Sequence, residues 1–167
     1  MNKTQIIKWF VLYTKPNFEK KADSQCRDLG IESYLPLYTV IRKWSDRKKR
    51  IEAPLFPGYI FVHGGEKERL SALTVNGVVK SVMFRTEPAT LREEEIENIK
   101  LVIKSDKIIE TVSSITIGTK VKIKSGPLEG LEGRLTEIKG NKVFSLVLET
   151  INSSILVDVP QEEVIMI

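Results

Sequence analysis

The chain has 167 residues, of which 41% are hydrophobic and 29% are charged, with one cysteine and one histidine. This balance is typical of a folded soluble protein and excludes a disordered one, while a single cysteine excludes an internal disulfide. No apolar run reaches the roughly 18 residues of a membrane helix, and no signal-peptide cleavage site follows the basic start. We therefore expect a cytoplasmic protein of one ordinary or two small domains.

Charge is distributed unevenly along the chain. Residues 1–104 contain 19 Lys and Arg against 13 Asp and Glu, whereas residues 105–167 contain 7 against 9. The net charge is therefore +6 in the first part and −2 in the second. This asymmetry predicts a surface for nucleic acid or phosphate on the first part only.

A strand and a helix are predicted near the start of the chain. Residues 8–14 (KWFVLYT) are β-branched and aromatic, which predicts a buried strand. Residues 15–30 then change period, because Ala22, Cys26 and Leu29 are spaced to lie on one face of a helix. The apolar position of Cys26 favours a core thiol over a nucleophile.

The rest of the first part predicts an antiparallel sheet with two more helices. Residues 33–43 read as extended, WSDRKKR as a turn, and GYIFVH as a strand that follows a second extended segment. Residues 66–75 predict a short helix, and GVVKSVMFR predicts a strand. Thr90 and Glu93 form a predicted capping box ahead of the last helix. The order β-α-β-β-β-α-β-α indicates an α+β fold.

The last third of the chain predicts a second, all-β domain. Residues 105–117 are rich in serine and threonine without a clear period, which indicates a linker. Residues 118–167 follow as short alternating strands separated by turns, with Gly140 and Asn141 as a tight turn. This pattern predicts a β-barrel near the lower size limit of an independently folding domain.

The sequence SGPLEGLEG brings three glycines close together, at Gly126, Gly130 and Gly133. A phosphate-binding loop of either common kind would open a helix. The next residues, RLTEI, alternate like a strand instead. A glycine-lined turn between strands is therefore favoured over a nucleotide site.

Catalytic and metal-binding residues are not predicted. The one histidine, His63, stands at a strand end, which favours a surface position over a metal ligand or a general base. The acidic residues 93–97 (EEEIE) occupy the first turns of a predicted helix, where carboxylates complement the helix dipole. The sequence therefore argues against an enzyme and predicts no cofactor.

Two clusters of basic residues lie in the first part of the chain. One, at Lys15, Lys20 and Lys21, surrounds the start of the first helix, and the other spans residues 42–50 (RKWSDRKKR). Each lysine taken alone is most simply a solvated surface residue. Two clusters on one domain favour contact with a DNA or RNA backbone, which is salt-dependent and largely independent of sequence.

The most apolar stretch, EAPLFPGYIFVH at residues 52–63, is interrupted by two prolines and a glycine. One interpretation is a core strand that follows a Pro-Gly turn. Alternation places Tyr59 and Phe61 on one face of the strand and the aliphatic residues between them on the other, so both faces are apolar. If helices cover one face, the other offers an aromatic groove, with Phe56 at its rim, for a helix of a partner protein.

Three segments in this order resemble the NusG family of transcription elongation factors: WFVLYTKPNFEKKA, PLFPGYIFV and KVKIKSGPLEGLEGRLTEI. The first two are more similar to the specialised antiterminators of the RfaH and UpxY type than to the general factor. The resemblance implies a NusG-type N-terminal domain at 1–104, a linker at 105–117, and a KOW domain, which is a small SH3-like barrel, at 118–167.

The resemblance also implies a function, which is to bind the clamp helices of the large RNA polymerase subunit and make elongation processive. The residues that match the polymerase-binding pocket are Tyr13, Phe56, Tyr59, Phe61 and Phe84. Lys15 and Lys21 match residues that face upstream or non-template DNA, and Gln25 stands at a neighbouring polar position. The basic clusters add Lys20, Arg42 and Lys43 to the expected nucleic-acid-binding residues. The RfaH type has arginine before Gly77 where this chain has Asn76, which weakens the transfer of sequence-specific DNA recognition.

In the KOW domain, the resemblance implies a turn motif and a surface for other factors. The motif residues are Gly126, Pro127, Gly130 and Gly133. Contacts to a ribosomal protein or to the termination factor Rho are expected around Ile151 and Leu156. Some RfaH-type members fold this domain as a helical hairpin, but VFSLVLE and SILVDV favour strands here. We expect the protein to be a monomer. The alternative to a transcription factor is a KOW-domain protein that binds the ribosome or RNA.

Overall fold

The computed structural model describes residues 4–167, which divide into two compact units, one ending at Glu93 and the other beginning at Glu94. Each unit is built on its own antiparallel sheet. Helices and strands are both present, so the predicted α+β class is confirmed. Over the described residues, no helix is long and apolar enough to cross a membrane.

The first unit contains the predicted elements together with a few short strands. Its strands are β1 (Lys8–Thr14), β2 (Glu32–Tyr34), β3 (Leu37–Lys43), β4 (Lys48–Pro54), β5 (Tyr59–Gly64), β6 (Val78–Ser81), β7 (Met83–Phe84), β8 (Glu87–Pro88) and β9 (Thr90–Leu91). Its helices are α1 (Glu19–Asp28) and α2 (Glu66–Ala72), and α3 (Glu93–Ser105) begins where the unit ends. The predicted order is confirmed, except that residues 35–36 divide one extended segment and β7 to β9 precede α3.

The central sheet has the order β2-β5-β1-β6, with β9 also paired to β1. Leu12 of β1 lies opposite Ile60 of β5, and both are fully buried in a core that includes Ala22 and Cys26 of α1. Each aliphatic side chain buried in this way contributes about 1.5–3 kcal/mol. Burial, assisted by the charge of Asp23, raises the pKa of the Cys26 thiol to about 11, so the predicted core thiol is confirmed.

Strands β3 and β4 pair only with each other, as a two-stranded ribbon whose register ends with Lys43 opposite Lys48. The Trp44 N–H donates to the Arg47 carbonyl (2.7 Å), which closes a short turn. The turn predicted for WSDRKKR is therefore wrong for its last three residues, which belong to β4 because they pair with β3. We call residues 37–54 the basic arm.

The capping box predicted at Thr90 and Glu93 is wrong. Thr90 and the following Leu91 form β9 and pair with β1, so the residue after Thr90 is extended and α3 begins only at Glu93. At α2, the Gly65 N–H donates to the Glu68 carboxylate (2.8 Å), which is one half of a capping box, because glycine has no side chain to supply the other half.

Between Glu94 and Ile167, the described residues form a six-stranded sheet in the order β10-β14-β13-β12-β11-β15. The strands are β10 (Ile108–Val112), β11 (Thr119–Ile123), β12 (Glu132–Ile138), β13 (Asn141–Leu148), β14 (Ser153–Val157) and β15 (Val164–Met166). Short 3₁₀ turns at Glu149–Ile151 and Gln161–Glu163 precede β14 and β15. The strand-rich character predicted for this region is confirmed.

The linker predicted at 105–117 is in large part structured. Ile108–Val112 pairs with β14 as an outer strand of the sheet. Beyond it, the Thr116 N–H donates to Ser154 Oγ (3.0 Å), and the Ser154 hydroxyl donates to the Ser114 carbonyl (2.8 Å). The prediction fails here because backbone groups of this segment bond to β14 and to the Ser154 hydroxyl, and the segment's Thr116 hydroxyl lies 2.5 Å from Ser145 Oγ.

The hairpin between β12 and β13 turns at Lys139 and Gly140, whose φ values are 50° and 80°. Ile138 lies opposite Asn141, so Asn141 is already part of β13 and the turn lies one residue earlier than predicted. Two consecutive positive φ values are characteristic of a type I′ hairpin turn, which glycine adopts without steric cost.

Candidate functional site

Aromatic side chains of β1 and β5 share the sheet face that points away from α1. Tyr13, Tyr59 and Phe61 alternate along the strands with Leu12 and Ile60, which pack in the α1 core. Tyr13 and Tyr59 lie opposite each other in the register, and their rings meet edge-on with centroids 5.6 Å apart. The structure therefore brings together Tyr13 and Tyr59, two of the residues that the sequence predicts to lie in one aromatic groove.

The two tyrosines are the part of this aromatic group that reaches the surface. Tyr13 is 36% exposed and Tyr59 is half-buried, whereas Phe56 and Phe61 are buried. The predicted position of Phe56 at a groove rim is wrong, because the turn closed by the Tyr59 N–H on the Phe56 carbonyl (3.1 Å) leaves its ring packed against Phe61 (6.1 Å). Phe56 and Phe61 are thus core residues beneath the site.

The Pro-Gly sequence before β5 shapes the surroundings of Tyr13. Gly58 has a φ of 85°, its N–H donates to Glu19 Oε1 (2.9 Å), and its carbonyl accepts the Thr14 N–H (2.8 Å). A Cβ on Gly58 would lie 3.1 Å from Tyr13 Cε2, so the glycine leaves room for the ring. This turn joins the start of α1 to the ends of β1 and β5 beside the exposed tyrosines.

Phe84 lies on a separate feature, the β7–β8 hairpin. Its side chain is 63% exposed, and the Arg85 guanidinium lies 5.6 Å from the centre of its ring. Its neighbour Met83 is also exposed. Among the ring-to-ring contacts of residues 4–167, none joins Phe84 to Tyr13 or Tyr59. The structure therefore places Phe84 at the surface without packing it on the tyrosine pair.

A second stack surrounds the single histidine. Trp9 stacks on His63 with 4.6 Å between ring centres, and its indole N–H donates to Glu93 (2.7 Å). His63 Nδ1 lies 2.6 Å from Glu32 Oε2. His63 is half-buried rather than a free surface residue because the indole covers one side of its ring. Within residues 4–167, no group of three or more His, Cys, Asp or Glu is arranged to hold a metal ion.

The basic residues at the start of α1 diverge. The ammonium groups of Lys15 and Lys21 each lie 5.9 Å from the centre of the Phe18 ring. Lys20 donates instead to the Glu52 carbonyl (3.0 Å) on the basic arm. The structure therefore places Lys15 and Lys21 around the same Phe18 ring and directs Lys20 towards β4.

Gln25 lines an open surface pocket of about 440 Å³ beside α1. Thr74 and Asn76, which follow α2, lie in the same lining. Amides such as those of Gln25 and Asn76 offer a donor and an acceptor side by side, which matches the edge of a nucleobase. Sequence reasoning misses Thr74, because only the folded chain brings the end of α2 next to α1.

Arg42 and Lys43 lie near the tip of the basic arm, opposite Lys49 and Lys48 respectively. All four are exposed. Trp44, in the turn at the tip, is 57% exposed. Sequence reasoning does not single out Trp44 as a site residue, although its place inside a run of cations was the available signal.

Gly126 and Gly130 lie in the turn between β11 and β12, within the segment whose sequence resembles a KOW motif. Gly126 and Gly130 have φ values of 88° and 89°, and the Gly130 N–H donates to the Ile123 carbonyl (2.8 Å). Gly133 lies in β12, where a Cβ would approach the Ser145 carbonyl to 2.4 Å. The predicted glycine-lined turn is confirmed, with Pro127 following Gly126 at its start.

The residues expected to contact other factors, Ile151 and Leu156, are buried at 6% and 1% exposure. Leu156 lies in β14, which has β10 on one side and β13 on the other. Their side chains therefore support the sheet and are not available as a surface, whereas Asn152 between them is exposed.

Comparison with known proteins adds to this geometry. Residues 7–100 match the family described as "Transcription termination factor nusG". Transcription termination/antitermination protein NusG of Streptococcus pyogenes serotype M1 is 31% identical over 166 residues, which cover 90% of this chain and 91% of that protein. The protein of the same name from Lactococcus lactis is 27% identical over 150 residues, covering 81% of this chain and 80% of that one.

Structural similarity agrees with the sequence match. The solved structure of Thermotoga maritima NusG has a TM-score of 0.54 and 22% identity to this chain, covering 97% of this chain and 98% of that one, which shows a shared fold. The match over residues 7–100 and the relative at 31% identity establish the family. The chain belongs to the NusG family of transcription termination and antitermination factors.

Proposed function

We propose that this chain binds RNA polymerase through the surface around Tyr13 and Tyr59 and promotes processive elongation and antitermination without catalysing a reaction. Membership of the NusG family supports the transcriptional role. The observation that carries the polymerase contact is the edge-on tyrosine pair, in which Tyr13 is exposed and Tyr59 is half-buried. Aromatic rings that stand at a surface on a rigid strand are typical anchors of protein interfaces.

The proposed partner of this surface is helical, namely the coiled-coil clamp helices of the large polymerase subunit. A helix binds through apolar side chains repeated along one face, which an aromatic surface on a sheet accommodates. Phe56 and Phe61 act from below by keeping β5 in place, because both are buried. Phe84 supplies a second exposed apolar contact on the β7–β8 hairpin.

The basic residues of the first unit contact upstream or non-template DNA in this proposal. Lys15 and Lys21 form one positive site, with Gln25 nearby on α1. Arg42 and Lys43 on the basic arm form another, and Lys20 faces the arm. Such contacts neutralise phosphates and therefore weaken as salt rises.

The second unit is proposed to recruit a further factor, either a ribosomal protein or Rho. We assign 1–104 to the NusG-type domain and 118–167 to the KOW domain, whose sheet also includes β10 from the segment between them. Because the side chains of Ile151 and Leu156 are buried, exposed neighbours such as Asn152 would make the contact. The similarity of the first two segments to the RfaH and UpxY type favours action on particular operons.

Replacement of the tyrosines tests the polymerase contact. Tyr13→Ala and Tyr59→Ala are each expected to weaken binding of the full chain to core RNA polymerase about tenfold or more, the loss typical of an interface anchor. Tyr38→Ala, on the basic arm and half-buried, is the matched control and is expected to bind like the unaltered chain. Unchanged binding of both tyrosine variants would overturn the proposal. Salt-sensitive cofractionation with ribosomal subunits instead would favour the ribosome-associated alternative.

A further inference from the structure

The basic arm concentrates positive charge on an isolated ribbon. Residues 37–54 contain six Lys and Arg against two acidic residues, a net charge of +4, which equals the net charge of the whole chain. Every residue from 41 to 50 is exposed. The two strands pair only with each other, so both faces of the arm near its tip are open to a ligand.

The register of the arm sets like charges against each other. Arg42 lies directly opposite Lys49, and Lys43 lies directly opposite Lys48. Directly opposed like charges destabilise a strand pair. Over residues 4–167, the ion pairs that form include none of these four side chains. This repulsion is a cost that a polyanion lying along the arm would relieve.

The tip of the arm adds a flat aromatic surface to this charge. The backbone N–H of Trp44 donates to the Arg47 carbonyl (2.7 Å), so these two residues continue the strand pairing beyond Lys43 and Lys48. By the alternation of strands, Trp44 shares its face of the arm with Arg42 and Lys49. The indole is 57% exposed. One face of the arm thus carries a stacking surface next to cations.

We propose that the tip of the basic arm binds an unpaired nucleic-acid strand, with one base stacked on Trp44 and the adjacent phosphates held by Arg42, Lys49 and Arg47. This extends the nucleic-acid contact of the proposed function. An aromatic ring among cations is the combination that binds single strands without regard to sequence. A duplex keeps its bases stacked on each other, so it offers phosphates to the arm but no free base to the indole.

The test is binding of fluorescently labelled oligonucleotides of about 12 nucleotides to the full chain, as single-stranded DNA, single-stranded RNA and duplex of one sequence. The unpaired strand is expected to bind more tightly than the duplex at equal salt. Trp44→Ala is expected to weaken unpaired-strand binding about 5- to 150-fold, the effect of losing one base stack, and to leave duplex binding unchanged. Preference for DNA or for RNA identifies which strand the arm takes.

Matched variants separate stacking from charge. Trp44→Phe keeps a ring and is expected to retain most of the affinity, and Ile41→Ala, exposed on the opposite face, is expected to retain all of it. Arg42→Ala is expected to weaken both unpaired strand and duplex and to reduce the salt dependence. The proposal is overturned if Trp44→Ala leaves unpaired-strand binding unchanged, or if duplex binds as tightly. Polymerase is absent from this assay. The result therefore does not depend on whether Tyr13 and Tyr59 bind polymerase, and the two proposals can fail separately.

Discussion

Tyr13 and Tyr59 lie directly opposite each other on neighbouring antiparallel strands, with their ring planes at 70° and their centroids 5.6 Å apart. Edge-on packing of this kind contributes about 0.5–1.5 kcal/mol beyond the area that it buries. The same pair is the exposed part of an aromatic group whose other members, Phe56 and Phe61, are buried. The surface is therefore held rigid by the residues beneath it and by the turn at Gly58.

Gly58 is expected to tolerate a side chain poorly. Gly58→Ala combines a φ of 85° with a contact of 3.1 Å to the Tyr13 ring, so we expect a loss of about 1–2 kcal/mol in the free energy of unfolding. Gly30→Ala is the control, because Gly30 has a φ of 74° but no atom within 4 Å of its added Cβ. Urea denaturation measures both, and an equal loss in the two variants would show that the ring contact has no effect.

The charge pattern of the basic arm predicts a trade between stability and binding. Lys49→Glu places a carboxylate opposite Arg42, which is expected to raise the free energy of unfolding by about 0.2–1 kcal/mol. The same change is expected to weaken oligonucleotide binding. Thermal unfolding and binding titrations check the two effects, with Lys124→Glu in the second unit as the charge-matched control. A variant that is less stable than the unaltered chain would contradict the cross-strand repulsion.

The buried thiol predicts a loss of stability at high pH. Because burial raises the pKa of Cys26 from 9.0 to about 11, the unfolded thiol ionises in a range where the folded thiol stays protonated. The unfolded state then binds fewer protons, so this contribution is complete below pH 9 and is lost as pH rises towards 11.

Over that window, the Cys26 thiol is expected to lower the free energy of unfolding by up to about 3 kcal/mol. The change is measured by urea denaturation of the unaltered chain and of Cys26→Ala at each pH. Lysines and tyrosines titrate in the same pH range in both proteins, so the difference between the two free energies of unfolding isolates the thiol. Parallel pH curves for the two proteins would refute this role of the thiol.

The pairing of β10 with β14 predicts where a stable fragment of the second unit begins. A fragment of residues 106–167 retains this pairing and the bonds from Thr116 and Ser114 to Ser154. A fragment of residues 118–167 lacks both and is expected to be less stable by about 2 kcal/mol or more, from lost apolar burial. Equal urea midpoints for the two fragments would show that residues 105–117 are a linker after all.

Sequence reasoning succeeds where a short-range period decides the outcome. The two-residue period of β5 places Tyr59 and Phe61 on one face, and the helical spacing of Ala22 and Cys26 places both in the core. It fails where a partner distant in sequence decides. Phe56 is buried because its turn directs the ring onto Phe61, which no local pattern encodes.

The segment 108–112 shows the same limit in the second unit. Its residues have no alternating pattern, and they become a strand because β14 offers an open edge more than forty residues later. The predicted position of the turn, at Gly140 and Asn141, is wrong by one residue. The register of β12 against β13, and not the local composition, decides which residues pair. The like-charge pairs of the basic arm are likewise visible only once that register is known.

The most direct measurement is photo-crosslinking from position 13, with the tyrosine replaced by benzoylphenylalanine in the full chain. With transcribing RNA polymerase present, we expect crosslinks to the clamp helices of the large subunit, and none there from the same group at Ile109, an exposed position in the second unit. Crosslinks from position 13 to ribosomal proteins, or none to polymerase when the variant remains folded, would contradict the proposal that the tyrosine pair is the polymerase-binding surface.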